Sequence, residues 1–214
     1  MFSGSTATTI QATGTPTYTQ DTAPVQVAQS WSYLSANNNV VVAVLDTGVD
    51  YNHYVMTGTT GIWTNTREIA GNGIDDDGNG FIDDVRGWNF SSGNNNPMDD
   101  NGHGTHVAGI VLGLGQNIMG TPLAVSKVQV MPVKFMDGAG VGSTAAAVNA
   151  IYYAINNGAK VINNSWGGSG YSQSLNDALT YAYTRGVFIA SAAGNYSSNN
   201  DASPMYPANL PCLL

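Results

Sequence analysis

The chain has 214 residues, 43% hydrophobic and 9% charged, with six basic residues against fourteen acidic ones and a net charge of −8. Such apolar content excludes a disordered chain, and the scarcity of charged residues excludes a coiled coil. An acidic surface repels phosphate backbones, so no nucleic acid is expected as a partner, whereas a hard cation is.

Residues 1–22, rich in Thr, Ser, Gly and Gln, read as a loose N-terminal arm with neither the basic nor the apolar region of a signal peptide. Val27, Trp31 and Leu34 recur at helical spacing and predict an amphipathic helix over 23–36. The unbroken run Val40–Leu45 suits a strand buried on both faces of a parallel sheet. Residues 50–102 break the pattern as an Asp-, Asn- and Gly-rich insertion that something must hold. A strand is predicted at Val128–Phe135, then a helix over 143–157 capped by Ser143 or Thr144, with Val148, Ile151, Tyr152 and Ile155 on one face. A short strand at Val161-Ile162 follows, then a helix over 172–185 with Leu175, Leu179 and Ala182 inward, then a strand at Val187–Ala190. Strand alternating with helix predicts an α/β layered domain, a mostly parallel central sheet flanked by helices, with right-handed crossovers. No run approaches the roughly 18 apolar residues of a membrane span. The lone Cys212 allows neither an internal disulfide nor a thiolate metal site.

Four segments carry chemistry. Asp46 follows the first buried strand directly, at the edge where open α/β sheets build their sites, although an Asp there also serves to cap a turn. His103 and His106 lie among glycines at the start of a helical stretch, with His106 read as a structural histidine. Zinc is not expected, because the pair has a spacing of three, no intervening Glu and no further nitrogen or sulfur ligand nearby. Asn195 follows the last strand; an Asn there is commonly a turn residue, and beside an acid and a base its amide would suit an oxyanion. In Asp75-Asp76-Asp77-Gly78-Asn79-Gly80-Phe81-Ile82-Asp83, the residues Asp75, Asp77, Asn79, the Phe81 carbonyl and Asp83 have the spacing of a calcium loop. Arg86 replaces the closing bidentate Glu, which excludes a full EF-hand, and Asp84 or water is expected to complete the shell of a structural calcium ion. Three successive carboxylates repel each other without a cation.

Leu45-Asp46-Thr47-Gly48, His103-Gly-Thr-His-Val-Ala-Gly109, Val161-Ile-Asn-Asn-Ser-Trp-Gly-Gly168 and Ala193-Gly194-Asn195 occur in the order of the subtilisin-like serine proteases, and the chain resembles that family over about residues 23–211. The resemblance implies a subtilisin-like layered fold and an endopeptidase that cuts extended or unfolded polypeptides outside the cell, in a family where stabilising calcium is common. It implies that Asp46 orients His103, that His103 is the general base and acid, and that Asn195 donates to the oxyanion. It also implies that Ser165, Trp166 and Gly167 line the specificity pocket and that Gly140, Val141 and Gly142 pair with substrate by strand addition. Two departures stand out. No Gly-Thr-Ser-x-Ala segment, where the family carries its nucleophile, occurs in these residues. The chain is therefore expected to be a partial catalytic domain over 23–214, its C-terminal part missing, and inactive alone; the alternative is a calcium-stabilised, peptide-binding pseudoprotease. The stretch after Asp50, His53-Tyr-Val-Met56, also differs from the family's His-Pro-Asp-Leu-like sequence.

Overall fold

The apolar run at Val40 forms the centre of a five-stranded parallel sheet. The computed structural model describes residues 8–10, 18–20, 39–54, 56, 61–112, 128–195 and 197–211. Among these, β1 (Thr8–Ile10) and β2 (Tyr18–Gln20) pair antiparallel within the span expected to be a loose arm. They are followed by β3 (Val40–Asp46), β4 (Trp88–Asn89), α1 (His103–Val111), β5 (Val128–Lys134), α2 (Thr144–Asn156), β6 (Val161–Asn164), α3 (Gln173–Thr184) and β7 (Phe188–Ser191). The helix expected over 23–36 lies outside the described residues. The sheet order is β4-β5-β3-β6-β7 with every pair parallel.

Strand β3 is apolar at successive positions because both of its faces are covered. Val44 meets Val130, Ala108 and Leu112 on the α1 side, whereas Ala43 and Leu45 meet Met131, Val133 and Ile162 beneath α2 and α3. The register pairs Asp46 with Lys134, so both strands end at the same edge.

Ser143 caps α2 by accepting from Ala146 N, and Ser172 caps α3 by accepting from Leu175 N. The buried stripe of α2 is Ala147, Ala150, Ile151 and Ala154, and its small residues let α3 approach with Ala178 and Ala182. The expected face therefore needs a correction. Of that face Ile151 is buried and Val148 and Ile155 pack half-buried against the core, but Tyr152 points outward and Tyr153, beside the alanine stripe, points inward.

The insertion is anchored, not loose. Strand β4 pairs with β5, and the Phe81 ring lies edge-on to Trp88, Phe90 and Tyr153 at 5.0 to 5.6 Å. Among the described residues no helix is long and apolar enough to cross a membrane. Leu179→Ala, which empties a fully buried site between α3 and the sheet, is expected to cost about 2–5 kcal/mol in denaturant unfolding. The exposed Tyr183→Ala is expected to change it by less than about 0.5 kcal/mol.

Candidate active site

Asp46 closes β3 with no exposed surface. Its Oδ1 accepts from the Thr47 backbone N–H at 2.7 Å and lies 2.8 Å from Nδ1 of His103, while Oδ2 is buried without a partner among the described residues. His103 opens α1 and its side chain is 47% exposed. A carboxylate on Nδ1 fixes the tautomer with that nitrogen protonated, which leaves Nε2 as the acceptor.

The approach depends on absent side chains. A Cβ on Gly104 would stand 2.1 Å from the Gly48 carbonyl oxygen, and one on Gly48 would stand 2.5 Å from the Pro97 carbonyl oxygen. Gly48 also takes a φ of 108°, which L side chains rarely adopt.

A polar web joins the same two segments. The Thr47 hydroxyl donates to Asp99 Oδ1 at 2.9 Å and accepts from Gly104 N at 3.0 Å. Asp99 also accepts from the backbone N–H groups of Asn101, Gly102 and Thr105 and from the Thr105 hydroxyl. Its Gly102 and Thr105 contacts satisfy donors at the start of α1, where the N-cap Gly102 has no side chain to do so. Burial alone would raise the Asp99 carboxyl, but the hydrogen bonds from Thr105, Gly102 and Asn101 outweigh it and hold the pKa at about 2. Lys134, nearly buried, donates to the Thr47 carbonyl and to Asp100 Oδ1. Neither Asp99 nor Lys134 was singled out in the sequence. An Asp four residues before His103 and a lone Lys ending an apolar strand were the signals.

A groove of about 540 Å³ opens beside His103, lined in part by Gly140, Val141, Gly142, Ser165, Trp166 and Gly167. Gly142 bridges antiparallel to Met136, and Val141 projects into solvent. Trp166 stands edge-on to Phe135 at 4.9 Å, and a Cβ on Gly167 would strike the Met205 sulfur at 2.8 Å. Asn195 lies in an exposed bend after β7 and is not part of that lining.

The acidic loop is arranged differently from its sequence spacing. Carboxylate oxygens of Glu68, Asp77 and Asp84 lie within 4.8 Å of one another. Asp84, fully buried, accepts from Asn65, Asn79 and the Tyr153 hydroxyl. Burial, then the charge of Asp84 and its hydrogen bond, push the Tyr153 hydroxyl pKa well up. Asp77 accepts from Asn65 and pairs with Arg67 at 2.8 Å. Of the residues expected in the shell, Asp77 and Asp84 contribute carboxylates to this group. The Asp83 carboxylate turns away to accept from Gly71, Asn72 and Gly73 N–H groups, and Asp75 accepts from Asn79 and Gly80 N–H groups. Asn79 donates from Nδ2 to Asp84, and the Phe81 ring sits in the aromatic cluster. Glu68 was missed because it precedes the spaced motif.

A family model described as the subtilase family matches residues 37–214. The thermitase of Thermoactinomyces vulgaris is 32% identical over 184 residues, covering 86% of this chain and 56% of that protein. Subtilisin-like protease 1 of Plasmodium falciparum is 34% identical over 164 residues, covering 76% of this chain and 24% of that protein. The chain thus spans little more than half of one relative and about a quarter of the other. A crystal structure of a cold-adapted subtilisin-like serine proteinase superposes with a TM-score of 0.56 at 27% identity, covering 82% of this chain and 54% of that one.

The Asp99 web makes a pH prediction. Its pKa is lowered in the folded state, so its stabilisation is present above the unfolded value of 3.8 and is lost as pH falls toward about 2. Thermal unfolding followed between about pH 5 and pH 2 is expected to fall more steeply in the wild type than in Asp99→Asn. Parallel curves would contradict it.

Proposed function

The chain belongs to the subtilase family, and from that premise we propose that it carries the acid and base of a serine endopeptidase acting on extended or unfolded polypeptides outside the cell. The observation that carries the reading is the 2.8 Å pair between buried Asp46 and half-exposed His103 at the mouth of the groove. Asp46 accepts a hydrogen bond from Nδ1–H, orients the ring and stabilises its imidazolium form; Nε2 is then the base toward a hydroxyl in the groove. By the family resemblance, the Asn195 side-chain amide would donate to the developing oxyanion from its exposed bend outside the groove lining. Gly140–Gly142 offer a backbone edge for an extended substrate, and Ser165–Gly167 form the wall of the pocket for its side chain. Residues 23–214 are on this reading a partial catalytic domain, with residues 50–102 inserted in it.

The nucleophile is the part these residues do not supply, since no Gly-Thr-Ser-x-Ala segment occurs among them. A triad lacking its serine nucleophile forms no acyl-enzyme, so the 214-residue chain alone is expected to hydrolyse no peptide. Hydrolysis by the purified chain that disappears in Asp46→Asn would contradict this. The deciding observation is the coding DNA downstream of Leu214. An in-frame Gly-Thr-Ser-x-Ala supports the protease, and a stop codon supports a peptide-binding pseudoprotease.

Calcium belongs to the same proposal. The oxygen-only donors and the excess of carboxylates over Arg67, which pairs with Asp77, fit a hard ion. Glu68, Asp77 and Asp84 would hold it, with Asp75, Asn79, Phe81 and Asp83 forming the surrounding loop. Bound calcium would neutralise the clustered charge and tie the loop to the core. Calcium at about 100-fold above its Kd is expected to stabilise the chain by about 2.7 kcal/mol in thermal unfolding, and Asp84→Asn to abolish that gain. No shift in unfolding across a calcium titration would remove calcium from the account.

A further inference from the structure

We propose that Lys134 is a positioning residue for the Asp46–His103 pair, its buried ammonium tying the turn after Asp46 to the segment that leads into His103. The inference rests on the functional reading above and adds to it a residue outside the motifs.

Lys134 is the last residue of β5 and only 3% exposed. It lies in register with Asp46 on the adjoining strand, so the two side chains leave the sheet on the same face. Its Nζ donates to the Thr47 carbonyl at 2.5 Å and to Asp100 Oδ1 at 2.6 Å. Thr47 follows Asp46 directly, and Asp100 stands three residues before His103. One ammonium therefore holds both segments whose separation sets the pair. Thr47 is gripped at both ends, since its hydroxyl reaches Asp99 and Gly104 while its carbonyl reaches Lys134.

The cost of this arrangement points the same way. A buried ammonium pays desolvation that an apolar side chain of similar length would avoid, and its carboxylate partner Asp100 is 60% exposed, which weakens the return. Stability alone is a poor reason for this lysine. What the ammonium supplies, and a methionine cannot, is a directed donor to a backbone carbonyl and a carboxylate at once.

The test is proton NMR of the 214-residue chain, following the low-field Nδ1 proton of His103 bonded to Asp46, with Asp46→Asn as the assignment control. Lys134→Met leaves the buried Thr47 carbonyl without this donor, so a modestly lower unfolding temperature is expected, and its low-field proton should broaden and exchange with water about tenfold faster. Asp100→Asn, altering an exposed residue, should accelerate exchange by a smaller factor. A folded Lys134→Met chain with an unchanged signal overturns the proposal. Should Lys134→Met not fold, Asp100→Asn decides: faster exchange supports the proposal and unchanged exchange overturns it. A signal present and dependent on Asp46 but indifferent to both variants overturns the role of Lys134 alone. Its absence from the wild type overturns the Asp46–His103 reading and this inference together.

Discussion

A carboxylate without solvent contact, held one hydrogen bond from a half-exposed imidazole, is the constraint around which this molecule is arranged. Asp46 can be buried only because Thr47 N–H and the His103 ring meet it, and His103 can reach it only because α1 begins against the turn at Gly48. The parallel register of β3 and β5 brings both strand ends to one edge, and the helix after the acidic insertion starts there. The sheet is thus a means of delivering two side chains, far apart in sequence, to one point.

Holding that point takes more than the pair. Thr47 is fixed through its hydroxyl and its carbonyl, Asp99 gathers donors from the first turn of α1, and Lys134 reaches across from β5. These contacts are short, directed and partly buried, the conditions under which polar interactions fix geometry rather than merely add stability. The acidic loop is ordered by the same means on a larger scale. Glu68 and Asp83 accept from backbone N–H groups, while Phe81 and β4 clip the loop to the core.

Much of this was legible in the sequence, and the exceptions have physical causes. The central strand declared itself because burial on both faces demands an unbroken apolar run. Helix α2 declared itself by period and a serine cap and α3 by period, and Leu175, Leu179 and Ala182 do face inward. On α2, Val148, Ile151 and Ile155 lie on the core side as expected, but the alanines beside them widen the buried face so that Tyr153, not Tyr152, is the core tyrosine. Strand β4, two residues long, has no periodicity to detect. The spacing of Asp75 to Asp83 suggested one loop around one ion. In the fold, Asp83 takes a left-handed backbone with φ 55° and serves the 71–73 turn, while Glu68 enters from outside the motif. The positions of Asp46 and His103 were readable from local context. Lys134 and Asp99 left only weak local signals, because their partners are chosen by the fold.

The account stands on the separation of two atoms. A crystal structure of the 214-residue chain measures it directly. The account predicts Asp46 Oδ1 and His103 Nδ1 at hydrogen-bonding distance, near 2.8 Å, with the imidazole facing the groove. A well-ordered structure in which those atoms lie beyond about 3.5 Å, or in which the ring turns away from β3, would contradict it.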